Sequence, residues 1–149
     1  PACSFRLYSV YGPRERPEKL YTKLIKSIVE NKNFPLYKGS LEHSRSFTYV
    51  GDIVEGLAKC IGKESVCTGE VFNLGSGKGS TVLEVIHAFE KVSGKNLNYK
   101  IVERREGDVT AAFADTTKAN ETLGWKAEKS LDDAVADAWR WEQKIREEV

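Results

Sequence analysis

Residues 70–94 constrain the fold more tightly than any other run in the chain. Glu70-Val71-Phe72-Asn73-Leu74 is short and rich in β-branched and aromatic side chains, which predicts a strand. It enters Gly75-Ser76-Gly77-Lys78-Gly79, after which Thr81 and Glu84 stand three residues apart as a capping box. Val82, Val85, Ile86, Phe89 and Val92 then repeat at helical spacing, and Gly94 supplies the stop. A strand, a glycine turn and a capped amphipathic helix cannot bury their apolar faces alone, so the unit demands further elements in an α/β layer.

The glycine turn lies where a phosphate-cradling loop belongs, between strand and helix. Its spacing fits neither known pattern. Gly79 separates Lys78 from the hydroxyl residues that would hold Mg²⁺ in a Walker loop, and it comes one residue early for G-x-G-x-x-G. A structural turn is the reading, with a P-loop NTPase as its rival.

The remaining segments read as a single αβ unit without repeats or linkers. Cys3 to Tyr11 alternates as a strand entering Gly12-Pro13 and, with nothing before it, would be an open edge. Pro17 precedes a helical period of Leu20, Leu24, Ile25, Ile28 and Val29 that ends at Asn31 to Asn33. Phe34 to Tyr37 is extended, Lys38-Gly39-Ser40 turns into a polar loop carrying His43 and Arg45, and Ser46 to Val50 is again β-prone. Asp52 reads as the N-cap of a helix that places Ile53, Val54, Leu57, Ala58 and Ile61 on one face and stops at Gly62. Asn98 to Val102 is another strand. The last helix starts at Ser130 with Asp133 at N3, and Leu131, Ala134, Val135, Ala138, Trp139 and Ile145 are expected to line its buried face.

Between those strands and the last helix, Arg104-Arg105-Glu106-Gly107-Asp108 sets two guanidinium groups before a Gly-Asp turn, and Asp115 and Gly124 bracket a short helix as N-cap and C′ residue. Arginine beside a glycine turn suits phosphate or carboxylate, because its planar fork donates two hydrogen bonds at once. Taken alone, the run reads more readily as a solvated basic loop.

Composition limits the partners. The net charge of +1 over 149 residues gives no global field for nucleic acid or anionic lipid, so an anion site must be local. Cys3, Cys60 and Cys67 are an odd number without metal-ligand spacing and read as free thiols in a reducing compartment. No window has transmembrane length, so the expectation is a cytoplasmic chain with no membrane partner. The chain begins at Pro1 and contains no Met, which reads as a piece of something longer.

Several ordered blocks carry a resemblance. They are Arg6-Leu7-Tyr8-Ser9-Val10-Tyr11-Gly12-Pro13-Arg14-Glu15-Arg16-Pro17, Arg45-Ser46-Phe47-Thr48-Tyr49-Val50-Gly51-Asp52-Ile53, and Val71-Phe72-Asn73-Leu74-Gly75-Ser76-Gly77. Arg105-Glu106-Gly107-Asp108, Ala114-Asp115, Lys118-Ala119 and Leu123-Gly124-Trp125 complete the set. Together they resemble the extended short-chain dehydrogenase/reductase superfamily, and within it the nucleotide-sugar epimerases and dehydratases of the UDP-glucose 4-epimerase type. The resemblance implies an α/β fold: the last part of a Rossmann-type parallel sheet plus a small mixed α/β substrate-binding lobe. Residues 1–17 would be the last strand and loop of the dinucleotide domain. Residues 18–149 would form the lobe, with segments returning to the sheet.

It also implies a site. Arg45 and Arg105 would hold the two phosphates of a UDP-sugar, and Asp108 would take a ribose hydroxyl or orient an arginine. Tyr37, with the backbone at Pro35 and Leu36, would border the base. Leu7 and Tyr8 would lie near the nicotinamide of NAD, and Ser9 stands where many members have Asn. Ala112 falls beside the sugar, where a small residue leaves volume for a 2-acetamido group. The family's glycine-rich NAD loop and Tyr-x-x-x-Lys pair are expected in an N-terminal half that this chain lacks. Tyr21 followed by Ile25 does not replace that pair, nor does Tyr99 followed by Glu103. By itself the chain is expected to be inactive, and to act with the NAD-binding half or as a homo-oligomer.

The leading expectation is therefore the substrate portion of a 4-epimerase, with a dehydratase, decarboxylase or reductase of the same family open. The alternative from another class is a non-catalytic binding or assembly module with an exposed apolar face around Phe5, Tyr8 and Tyr11.

Overall fold

The structure is a computed structural model that describes residues 1–103, 107 and 109–147. The elements in chain order are β1 (Ser4–Leu7), β2 (Val10–Tyr11), α1 (Leu20–Val29), β3 (Phe34–Tyr37), β4 (Ser44–Arg45), β5 (Thr48–Tyr49), α2 (Val50–Ala58) and α3 (Glu64–Cys67). They continue as β6 (Val71–Leu74), β7 (Ser80–Thr81), α4 (Val82–Ser93), β8 (Tyr99–Val102), β9 (Ala111–Ala112), α5 (Thr117–Leu123) and α6 (Leu131–Glu147). Strands pair in parallel as β1 with β6, β2 with β5 and β3 with β8, while β4 lies between antiparallel β7 and parallel β9. Parallel pairing with helical crossovers is the α/β class expected from the sequence. Among the described residues no helix is long and apolar enough to cross a membrane.

Residues 70–94 fold as their chemistry requires. Thr81 Oγ1 accepts the Glu84 amide at 3.1 Å while the Glu84 carboxylate accepts the Thr81 amide at 2.6 Å, and Gly94 closes α4 in the left-handed conformation. Gly75 is enclosed: a Cβ there would lie 2.7 Å from Ala114 Cβ and 3.0 Å from Ser46 Oγ. The first amides of α4 are met by its own capping box, and β7 separates them from Gly75 and Gly77, so at Gly75 the turn serves close packing against Ala114 and Ser46.

Two apolar cores result. One joins α1, β3, α4 and α6 through Leu24, Ile25, Leu36, Val85, Phe89 and Val135. The other joins β6, α2 and α5 through Phe72, Leu74, Ile53, Leu123 and Trp125, with Phe5 of β1 against it.

Several local expectations need correction. The first strand breaks at Tyr8-Ser9, where Ser9 takes a positive φ of 33° and its carbonyl accepts the Thr48 amide at 3.2 Å, which redirects the chain to a different partner strand. Tyr11 is not exposed but buried, stacked on Tyr21 with ring centroids 4.2 Å apart. Asp52 lies inside the first turn of α2 and is buried, accepting the Glu128 and Lys129 amides at 3.2 and 3.1 Å. The inward line of α2 is Ile53 and Gly56, because glycine lets the helix approach Leu74 and Trp125 closely. Val54 and Leu57 consequently face outward, and α2 ends at Ala58, which leaves Ile61 exposed in the turns beyond it. Asp115 caps from one residue further out than expected, its Oδ1 accepting the Thr117 amide at 3.0 Å.

Candidate functional site

The site grows from β3 and the segment that follows it. Alternation along β3 buries Phe34 and Leu36 and turns Pro35 and Tyr37 outward. The Phe34 and Lys38 amides bond Asn98 and Val102 carbonyls at 2.7 and 2.8 Å. Position 35 faces away from that ladder, so a residue without an N–H costs nothing there. Gly39 turns the chain in the left-handed conformation through a short 3₁₀ turn, Ser40–Glu42, into β4.

β4 is pinned on both sides. The Ser44 and Ser46 amides donate to Thr110 and Ala112 carbonyls, each at 2.9 Å, and the Val82 amide donates to the His43 carbonyl at 3.3 Å. Arg45 is half-buried, and its Nη1 donates to the Ser44 carbonyl at 3.1 Å.

Ser9, Pro35, Leu36, Tyr37 and Arg45, all expected at the site, line one cavity of about 430 Å³. Ala112 is exposed and stands directly opposite Arg45 in the β4–β9 register, outside the wall of that cavity. Leu7 is 48% exposed at the carboxyl end of β1 and lines an adjoining cavity of about 370 Å³, and Ser9 and Lys19 belong to both walls. Tyr8 lines neither; it is half-buried and its amide bonds the Leu74 carbonyl at 3.1 Å. Arg105 and Asp108 lie outside the described residues. β8, which precedes them, ends at Val102, in register with Tyr37.

Sequence reasoning did not assign Lys19, Lys23, Ser40 or His43, yet all four join the wall of the first cavity. Lys19 and Lys23 are four apart, which puts them on one helical face, but no linear pattern ties that face to β3. Glu15 lines the second cavity. Burial pushes its carboxyl above the usual range, partly offset by the Thr22 amide at 2.9 Å and hydroxyl at 3.2 Å. A larger cavity, about 570 Å³, lies on the other side of Phe47 between α4 and α6 and contains none of the expected residues. Ser76 and Lys78 of the glycine turn and Ser80 of β7 line it, and its Lys91 is paired with Asp132 at 2.5 Å.

An α/β chain with parallel strand pairs and this element order shares its fold with the extended short-chain dehydrogenase/reductase epimerases. The family model described as GDP-mannose 4,6 dehydratase matches residues 1–138, and the chain belongs to that family. It is 46% identical to the UDP-glucose 4-epimerase of Bacillus subtilis (strain 168) over 99 residues, 66% of this chain and 29% of that protein. With the Drosophila melanogaster UDP-glucose 4-epimerase it shares 41% over 119 residues, 78% of this chain and 33% of that protein. The fold is similar to the Bacillus cereus UDP-glucuronic acid 4-epimerase in complex with UDP-glucuronic acid and NAD, with a TM-score of 0.89 at 29% identity, covering 96% of this chain and 45% of that one. It also matches the Stenotrophomonas maltophila UDP-glucose-4-epimerase with bound NAD and formylated UDP-arabinopyranose, with a TM-score of 0.88 at 25% identity, covering 99% and 49%. The chain thus spans about a third of these curated relatives and just under half of these solved ones.

Proposed function

We propose that the chain carries the nucleotide-sugar-binding portion of an NAD-dependent sugar 4-epimerase acting on a UDP-sugar such as UDP-glucose, UDP-N-acetylglucosamine or UDP-glucuronate. The observation that carries this reading is the convergence of Ser9, Pro35, Leu36, Tyr37 and Arg45, distant in sequence, on one cavity of about 430 Å³. Small-ligand sites fall at about 300–1,000 Å³.

In this reading Arg45 grips the diphosphate with paired N–H donors, and Lys19 and Lys23 add positive charge along the same wall. Arg105 takes the second phosphate and Asp108 the ribose. Pro35, Leu36 and Tyr37 border the base, and Ser9 offers a hydroxyl where the two cavities meet. Ala112 leaves space beside the sugar.

The residues on the cofactor side fit a nicotinamide ring, since Leu7 presents apolar surface at the carboxyl end of a parallel strand, where such ligands bind. NAD, when bound, supplies the exchange of a hydride at the sugar C4. The role of this chain is to hold the pyrophosphate fixed while the oxidised sugar turns to present its other face. The acid–base pair and most dinucleotide contacts fall to residues outside this chain, so the chain alone binds without turnover. A dehydratase would use the same pyrophosphate grip, and the family description keeps that reaction as the second reading.

Calorimetry with UDP tests the proposal. A Kd of about 1 mM or tighter, weakened at least about tenfold by Arg45→Ala, supports it, a loss of roughly 1.4 kcal/mol. No heat of binding with the folded wild-type chain overturns it in favour of an assembly module.

A further inference from the structure

All three cysteines of the chain line one cavity of about 320 Å³, although Cys3 precedes β1, Cys60 follows α2 and Cys67 ends α3. A run of backbone bonds fixes their relative positions. The Lys63 amide donates to the Cys60 carbonyl at 3.1 Å, the Cys67 amide to Lys63 at 3.0 Å, and the Glu70 amide to Cys67 at 3.0 Å. Cys3 is then held against the same turn from both sides, by the Gly69 amide on the Ala2 carbonyl at 2.8 Å and its neighbour's amide, that of Ser4, on Glu70 at 2.9 Å.

The surroundings decide what such a cluster can do. Phe5, Leu57 and Ile61 give the cavity an apolar lining. Among the described residues no group of three His, Cys, Asp or Glu could hold a metal ion. Cys67 is buried in the core with Phe72 and Leu74, whereas Cys3 and Cys60 are half-buried. Burial first, then the neighbouring Cys67 and Cys3 thiols, push the Cys60 thiol up to about 12. Cys60 is therefore a poor first nucleophile toward an outside reagent, but it sits beside both partners.

We infer that Cys3 and Cys60 form a reversible disulfide by exchange with a low-molecular-weight disulfide such as oxidised glutathione, while Cys67 stays a buried thiol. The Cys3 thiol loses its proton and attacks one sulfur of the reagent, forming a mixed disulfide and expelling one glutathione thiolate, which takes up a proton. Cys60 then loses its proton and attacks the Cys3 sulfur, expelling the second glutathione. The two protein thiols are oxidised by two electrons, and one reagent disulfide is reduced to two thiols. Proximity drives the second step despite the high pKa of Cys60, because the attack is intramolecular. The new bond fastens β1 to the end of α2, two elements that also meet at the second cavity through Leu7 and Val50.

The test incubates the folded chain with oxidised glutathione, alkylates it under denaturing conditions and maps the peptides by mass spectrometry. The expected result is a fall from three alkylated thiols to one, a Cys3–Cys60 linked peptide, reversal by dithiothreitol, and persistence of the link in Cys67→Ala. Cys60→Ser should leave a glutathione adduct on Cys3 instead. A stable mixed disulfide in the wild type, a Cys60–Cys67 link, or the same products at the same rate in urea would overturn the inference. The wild-type digest decides the matter even if a variant fails to fold.

Discussion

Arg45 and Ala112 are register partners on adjacent parallel strands, so the residue at 112 stands beside the backbone position of the arginine that the proposed function assigns to phosphate. On the proposed function, Ala112→Tyr should weaken binding of UDP-N-acetylglucosamine at least about tenfold more than that of UDP-glucose, a difference of about 1.4 kcal/mol. Competition binding with both sugars measures this. Equal losses would mean that Ala112 merely packs.

The Asp52 carboxylate joins the start of α2 to the loop before α6 through two backbone amides, those of Glu128 and Lys129. Asp52→Ala should leave both amides without their acceptor and lower stability by about 1–3 kcal/mol. A shift of the urea midpoint without a change of slope would report it; an unchanged midpoint would mean that water replaces the carboxylate without loss.

Asp133 accepts the Ser130 hydroxyl at 2.6 Å and amide at 3.3 Å, and these bonds hold its carboxyl below the usual range. A folded-state pKa below the unfolded one stabilises the fold above the unfolded value of about 3.9 and loses that contribution as pH falls through the folded value. The stability gap between wild type and Asp133→Asn should be constant above about pH 5 and shrink below about pH 4. Urea titrations across pH 3 to 7 test this, and a gap that widened in acid would reverse the sign of the argument.

Gly75 meets Ala114 so closely that an added methyl has no room, with Ala114 Cβ 2.7 Å from where it would go. Gly75→Ala should destabilise by about 1–3 kcal/mol, and Ala114→Gly in the same chain should recover part of the loss. Mg-ATP should not change the melting temperature of the wild-type chain. A ligand specific to the native fold would raise it, and such a rise would restore the phosphate-loop reading of residues 75–81.

The capped helix α4, the reciprocal Ser130–Asp133 cap of α6 and the alternation along β3 were legible because each depends on residues within a few positions of one another. The face of α2 was misread for the opposite reason. Its apolar residues repeat at helical spacing, but Gly56 allows a close approach to Leu74 and Trp125 that turns Val54 and Leu57 outward, and the helix ends before Ile61. The break at Ser9 was likewise invisible, since its positive φ is held by a carbonyl bond to Thr48, 39 positions away. Ser9 and Arg45 of the candidate site lie in the ordered blocks of resemblance and Pro35 to Tyr37 followed from the same comparison, while Lys19, Lys23 and His43 did not, because no local pattern links α1 to β4.

The sequence by itself determined the α/β class, the caps and turns, and the residue types able to grip an anion, because those follow from side-chain chemistry acting over one or two turns of chain. Only the tertiary structure decided that Ser9, Tyr37 and Arg45 share a hollow and that three scattered thiols share another. Parallel pairing joins segments that are far apart in sequence, and the amino-acid order carries no local mark of which strands will meet.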